Sequence, residues 1–164
     1  MLSTCRFNEQ TWNENCVYRE KHNIEGPIYG VPMQMRNTIE LDILVFVVEM
    51  NNAKNKIEGI GLIKNKIETV QKYYVYSEQN YNRYIYKGEY RLDRKILQSY
   101  NLKLVEILDY ILFKGKTHLK RGNGFMRIPD KLLGIGAVAG AVAGIGLKLF
   151  EEIKTIFLRH FNKE

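Results

Sequence analysis

The sequence predicts an α+β fold: a small curved mixed or antiparallel sheet, or a small barrel, with flanking helices and a long C-terminal helix rich in Gly and Ala. Two apolar runs separated by an Asn-rich connection indicate a β-hairpin, and leucines at helical spacing follow further along the 164-residue chain. The length fits one compact domain over residues 1–130 and a terminal helix over residues 131–164.

The first half of the chain predicts a sheet. Residues 8–22 suit a short helix or an extended lead-in, and residues 27–35 predict a short strand that its two prolines place at a sheet edge. Residues 43–50 and 57–63 predict the hairpin. Gly59 and Gly61 share one face of its second strand, where missing side chains permit a bulge or the close approach of another backbone.

The second half changes from strands to helices. Residues 73–76 and 81–91 predict a further pair of strands, with Tyr84, Tyr86 and Tyr90 on one face. Leu92–Gln98 predicts a short helix, and a stripe of Leu102, Val105, Leu108 and Leu112 predicts a second. A basic, Gly-punctuated stretch over 114–127 leads to a strand at 125–128 and to a final helix over 131–161.

Charge and cysteine content indicate the class of partner and the compartment. The net charge of +7 favours acidic partners such as nucleic acid or anionic lipid. Cys5 and Cys16 form no disulfide framework, and the first residues carry no apolar run of a secretory signal. We therefore expect reduced thiols and an intracellular protein that is not secreted.

Catalytic motifs are missing from the sequence. The three histidines are isolated, with no spacing that suits a metal, and no Walker or GxSxG motif occurs. Cys16 could form a nucleophile pair with His22, but a structural role for its thiol is the better interpretation. Glu49 ends an apolar strand, either as a carboxyl in a low-dielectric site or as a solvated or loop-bonded group. We expect a protein that is not an enzyme and needs no cofactor or metal.

The basic stretch is the first candidate site, because it contains no acid from residue 114 to residue 128 and its glycines leave backbone amides approachable. Tyrosines of the preceding strand add stacking surfaces for bases if their face is open. The alternative is a solvated loop with core tyrosines. The candidate nucleic-acid-binding residues are Arg83, Tyr84, Tyr86, Lys87, Lys114, Lys116, His118, Lys120, Arg121 and Arg127.

The Gly/Ala segment is the second candidate. Five helical glycines cost about 1 kcal/mol each, so packing or lipid must offset that cost. Small residues favour close helix contact within the domain or in a homo-oligomer or capsid. The alternative is membrane contact, because residues 132–150 are nearly as long as a membrane-spanning helix. The candidate packing or membrane residues are Ile135, Gly136, Val138, Gly140, Val142, Gly144 and Ile145.

Residues 28–128, with the hairpin and the tyrosine-rich strand, resemble the PUA-like superfamily that includes the EVE, ASCH and YTH domains. That resemblance implies a small barrel whose surface binds RNA or modified bases. Residues 45–52, 56–63 and 113–122 are similar to uncharacterised proteins of large DNA viruses. That similarity implies a location in the host cytoplasm or in the virion. The expected function is a non-enzymatic module that binds nucleic acid or another polyanion. The alternative is a virion structural, minor capsid or assembly protein whose last helix packs on neighbours or on an internal membrane.

Overall fold

The computed structural model describes residues 1–129, 132 and 145–162, without the side chains of residues 145–148. The broad α+β class is confirmed. The strands are β1 Leu2–Phe7, β2 Ile28–Val31, β3 Leu44–Asn51, β4 Lys56–Lys64, β5 Tyr84–Lys87, β6 Tyr90–Asp93 and β7 Met126–Arg127. The helices are α1 Glu9–Lys21, α2 Arg94–Phe113 and α3 Ile145–Phe161, with a 3-10 turn at Gln79–Asn82.

The five-stranded sheet is mixed, with the order β6-β4-β3-β1-β7. β1 runs parallel to β3, and the other neighbours are antiparallel. One face of this sheet packs against α2 and α3. The other face packs against α1 and a separate two-stranded sheet formed by β2 and β5. The sheet is therefore covered on both faces, which explains why β3 is almost continuously buried.

The predicted hairpin is confirmed as β3 and β4, joined by residues 52–55. The register shifts between Glu49 and Met50, since Glu49 is paired with Gly59 and Met50 with Ile57. The irregularity therefore adjoins Gly59, where a bulge was one of the expected possibilities. Gly61 lies directly beneath Pro27 and Tyr29: a Cβ there would stand 2.6 Å from the Pro27 Cβ and would overlap the Tyr29 hydroxyl. The missing side chain therefore lets the small sheet approach the large one closely.

The predicted barrel is wrong, because β6 and β7 form opposite edges of an open sheet. The predicted strand over 81–91 is also divided: β5 pairs with β2, whereas β6 pairs with β4. Gly88 lies at the change of sheet, where its N–H donates to the Pro27 carbonyl at 3.1 Å and a Cβ would overlap the Leu62 carbonyl. Residues 73–76 form no strand.

The helices follow local signals. The Asn8 side chain caps α1 by accepting from the Thr11 N–H at 2.7 Å, and Asp93 caps α2 in the same way. The two predicted helices after residue 92 are confirmed as two helical segments of α2, which are separated at Asn101, where φ is −156° and ψ is 94°. The Asn101 side chain accepts from the Leu104 N–H at 3.0 Å. Val105, Leu108 and Leu112 of the predicted stripe are buried, whereas Leu102 is exposed.

The last helix contributes to the core. Leu149, Ile153, Ile156 and Phe157 are buried with the strands and α2, and the Phe157 ring lies 5.0 Å from the Phe46 ring. This part of the predicted helix is confirmed, and its apolar face meets the protein's own core. Within the described part of the chain, no helix is long and apolar enough to cross a membrane.

The Gly/Ala stripe lies mostly outside the described residues. This applies to Ile135, Gly136, Val138, Gly140, Val142 and Gly144, and Ile145 is described only as the first residue of α3. The packing and membrane interpretations of this stripe stay predictions.

Candidate functional site

The basic loop, residues 114–128, is held to the rest of the fold by side chains that donate hydrogen bonds to its backbone carbonyls. Arg6 of β1 donates from Nε to the Gly122 carbonyl at 3.0 Å and from Nη2 to the Gly124 carbonyl at 2.8 Å. Asn52 donates to the Lys120 carbonyl at 2.9 Å. Gly122 and Gly124 have φ of 105° and 67°, a region that favours glycine. The loop is therefore anchored at three carbonyls.

The side chains of the basic loop point mostly to solvent. Lys114, Lys116 and Arg121 are exposed, and His118 and Lys120 are half-buried. The ion pairs Lys56–Glu58, Arg91–Glu49 and Arg94–Asp109 involve none of these five side chains. Arg127 lies in β7 and is paired in register with Ser3 of β1. Lys114, Lys116 and Arg121 therefore present positive charge that no described carboxylate neutralises in an ion pair.

A small cleft of about 160 Å³ lies beside this loop. It is bordered by the β1–α1 turn, the end of β2, the hairpin connection and Gly122–Gly124, and its lining contains no Asp or Glu from the described part of the chain. Arg6 lies in its wall, and burial lowers the pKa of this guanidinium. The cleft therefore combines a partly buried cation with polar groups.

The amide of Asn52 and the phenols of Tyr76 and Tyr81 give the cleft groups that can form hydrogen bonds. The Asn52 Oδ1 is buried and has no hydrogen-bond partner in the described structure. Tyr81 is a half-buried part of the wall, and the hydroxyl of buried Tyr76 accepts from Asn15 Nδ2 at 3.0 Å. Because an unpaired buried acceptor costs free energy, Asn52 is suited to receive a donor from a ligand.

The predicted residues Arg83, Tyr84 and Lys87 lie at the two ends of β5. Arg83 is exposed and lies over the half-buried Tyr84 ring, 5.4 Å from its centroid. Both lie at the cleft end of β5, since Tyr84 pairs with the cleft residue Val31. Lys87 lies at the other end and donates to the Tyr73 hydroxyl at 3.3 Å. Of these three residues, Arg83 and Tyr84 therefore lie at the end of β5 nearer the cleft, although neither lines it.

Tyr86 and Tyr90 do not form the open aromatic face that the alternation predicted. Tyr86 is 1% exposed, packs its ring 5.1 Å from Phe125, and accepts from the Met35 N–H. Tyr90 belongs to the other sheet, where its ring lies 4.8 Å from Phe161. Tyr86 is thus a core residue that supports the basic loop through Phe125, as the alternative interpretation of the tyrosines required.

The carboxylate of Glu49 forms a buried ion pair. Arg91 donates from Nε to Oε1 at 2.9 Å and from Nη2 to Oε2 at 2.7 Å, and the Tyr29 hydroxyl donates to Oε1 at 2.9 Å. Burial alone would lower the pKa of Arg91, but Glu49 raises it above its ordinary value. Glu49 is 1% exposed, so it lies in a buried site as the low-dielectric alternative predicted, whereas its pairing with Arg91 was not predicted.

The cysteines have structural surroundings. Burial raises the pKa of the Cys5 thiol to about 12, so it stays protonated at neutral pH. Cys16 lies 3.6 Å from Arg19 Nη2, whereas His22 stacks on Tyr18 with ring centroids 4.0 Å apart. The described residues contain no group of three or more His, Cys, Asp and Glu that could hold a metal ion.

Arg6, Asn52 and Tyr81 were missed as site residues. Arg6 lies in β1, a strand whose sequence is too polar for the alternation rule to detect. Asn52 looked like an ordinary loop residue. The basic stretch was visible in the sequence, but the side chains of Arg6 and Asn52 that donate to its backbone carbonyls were not.

Comparison of the chain with protein families, with curated proteins and with solved structures finds no match.

Proposed function

We propose that the protein is a non-enzymatic nucleic-acid-binding module. The basic loop binds the phosphate backbone, and the cleft receives one base of a single strand. The observation that carries this proposal is an acid-free cationic loop fixed beside a cleft whose wall holds the partly buried Arg6.

The charge distribution supports a polyanionic ligand. Exposed Lys114, Lys116 and Arg121 form no ion pair with any described residue. When these side chains neutralise phosphates, the counterions condensed on the nucleic acid are released, and their gain in entropy favours binding. A loop that is already ordered loses little conformational entropy on binding.

The size of the cleft supports a single strand. About 160 Å³ is less than the roughly 300–1,000 Å³ of a pocket that encloses a whole small-molecule ligand, so the cleft suits one projecting group of a larger molecule. In a duplex the base edges are stacked and paired, whereas a single strand can turn one base outward towards Asn52 and Tyr81.

The alternative proposal is a structural or assembly protein of a virus particle. It depends on the Gly/Ala stripe, because the apolar face of α3 formed by Leu149, Ile153, Ile156 and Phe157 is already covered by the protein's own core. Deletion of the last helix would therefore unfold the domain under either function, and it does not distinguish them.

We expect binding to single-stranded DNA or RNA to weaken steeply with salt. Replacing Lys116 and Arg121 together by alanine should make the slope of log K against log salt shallower by about 1.4, since each phosphate contact contributes about 0.7 for single strands. Fluorescence anisotropy of a labelled oligonucleotide over a salt series measures this slope.

The matched control replaces Lys95 and Lys103 by alanine, because both are exposed on α2 and the change in net charge is the same. The control should keep the slope of the natural protein. Absence of binding, or binding whose affinity does not fall with salt, would exclude the proposal.

A further inference from the structure

A second, larger concavity lies beside the cleft. It is a groove of about 700 Å³ between the C-terminal half of α1 and residues 71–77. Its lining includes Val17, Tyr18 and Lys21 from the helix and Lys72 and Tyr74 from the facing segment. These residues combine aromatic and apolar surface with positive charge.

The aromatic surface of the groove is open. Tyr74 is 62% exposed, although it belongs to a segment whose neighbours Tyr73 and Val75 are buried. Tyr18 is half-buried and is stacked on His22, so the pair presents a fixed aromatic layer. Rings held in this way are suited to stacking against the faces of bases.

The charge of the groove is mainly positive. Lys21 and Lys72 are exposed and form none of the ion pairs found among the described residues. The acidic residue of the lining is Glu14, whose Oε1 accepts from Ser77 Oγ at 2.6 Å and from Gln10 Nε2 at 3.2 Å. Those hydrogen bonds tie Glu14 to the edge of the groove nearest the cleft.

The groove and the cleft are neighbours along one helix. Thr11 of α1 lines the cleft, and Val17, Tyr18 and Lys21 of the same helix line the groove. Tyr76 lines both and separates them. From Thr11 to Tyr18 the helix rises by about 10 Å. One extended strand can therefore reach both concavities without a change of direction.

We propose that the groove is a second subsite for single-stranded nucleic acid, in which bases next to the nucleotide in the cleft stack on Tyr74 and Tyr18 while Lys21 and Lys72 meet their phosphates. This inference rests on the proposed function. It adds that the ligand is a strand of several nucleotides and that its path follows α1.

The test compares a long and a short oligonucleotide. For a single strand of about 12 nucleotides, Tyr74→Ala should weaken binding about tenfold, the loss that corresponds to one stacked base. Replacing Lys21 and Lys72 by alanine should reduce the salt slope by about 1.4. For a strand of about four nucleotides, which fills the cleft and the basic loop, neither change should alter the affinity.

Two controls accompany the test. Tyr74→Phe keeps the stacking ring and should bind the long strand like the natural protein. Tyr100→Ala removes another exposed tyrosine, on α2, and should also leave binding unchanged. The thermal midpoint of each variant confirms that the domain is folded.

The outcomes separate the two proposals. If the natural protein binds both strands and the groove variants bind the long strand equally well, the groove subsite is overturned while the proposed function stands. If the natural protein binds neither strand, the proposed function fails and this inference fails with it. Preferential binding of an acidic peptide in the groove, with the long strand still bound at full affinity, would also overturn the subsite.

Discussion

Arg91→Ala is expected to lower the free energy of unfolding by about 3–5 kcal/mol, because it leaves a buried carboxylate without its partner. Glu49 is 1% exposed and receives two hydrogen bonds from Arg91. After the substitution the Tyr29 hydroxyl is the remaining donor to this carboxylate among the described residues. Urea unfolding followed by circular dichroism measures the loss.

A double variant separates the loss of charge pairing from the loss of packing. Arg91→Met with Glu49→Gln removes both charges and keeps side chains of similar length, so it should be more stable than Arg91→Ala alone. Lys56→Ala is the matched control, because its 3.8 Å contact with Glu58 is partly exposed and should contribute less than about 1 kcal/mol. Equal losses for Arg91→Ala and Lys56→Ala would contradict the role of the buried pair.

Ile153→Ala is expected to lower the free energy of unfolding by about 2–5 kcal/mol, because it opens a cavity in the core between α3 and the sheet. Ile153 is fully buried with Leu149, Ile156 and Phe157. The same urea experiment measures this loss, and domains of this kind have total stabilities of roughly 5–15 kcal/mol.

The control for this prediction lies on the same helix. Leu158 is 50% exposed, so Leu158→Ala should change stability by about 0.5 kcal/mol or less. A small effect of Ile153→Ala would show that the last helix is only loosely attached, and that its apolar face is available to a partner or a membrane. A large effect assigns that face to the core of the protein itself.

Local patterns predicted several elements well. The hairpin of β3 and β4 follows from two apolar runs and an Asn-rich connection, and the bulge follows from Gly59. Helix α2 follows from its leucine spacing and from the Asp93 cap. In these cases residues that are close in sequence determine the backbone conformation, so periodicity and capping are sufficient.

The first strand could not be predicted in this way. β1 contains Ser3 and Thr4, which are polar residues yet are buried. They satisfy their hydroxyls through the Met126 carbonyl, at 2.9 Å from Ser3 Oγ and 3.4 Å from Thr4 Oγ1. That partner lies more than 120 residues away in the chain, so no local pattern reveals it.

The sequence by itself determined the net positive charge, the acid-free basic loop, the hairpin and the helical spacing of α2. The tertiary structure alone decided that Glu49 meets Arg91, that Arg6 holds the basic loop at the edge of a cleft, and that Tyr86 is buried while Tyr74 is open. The physical reason is that composition and periodicity depend on neighbours along the chain. The partner and exposure of a side chain depend instead on which distant strands and loops the fold brings beside it.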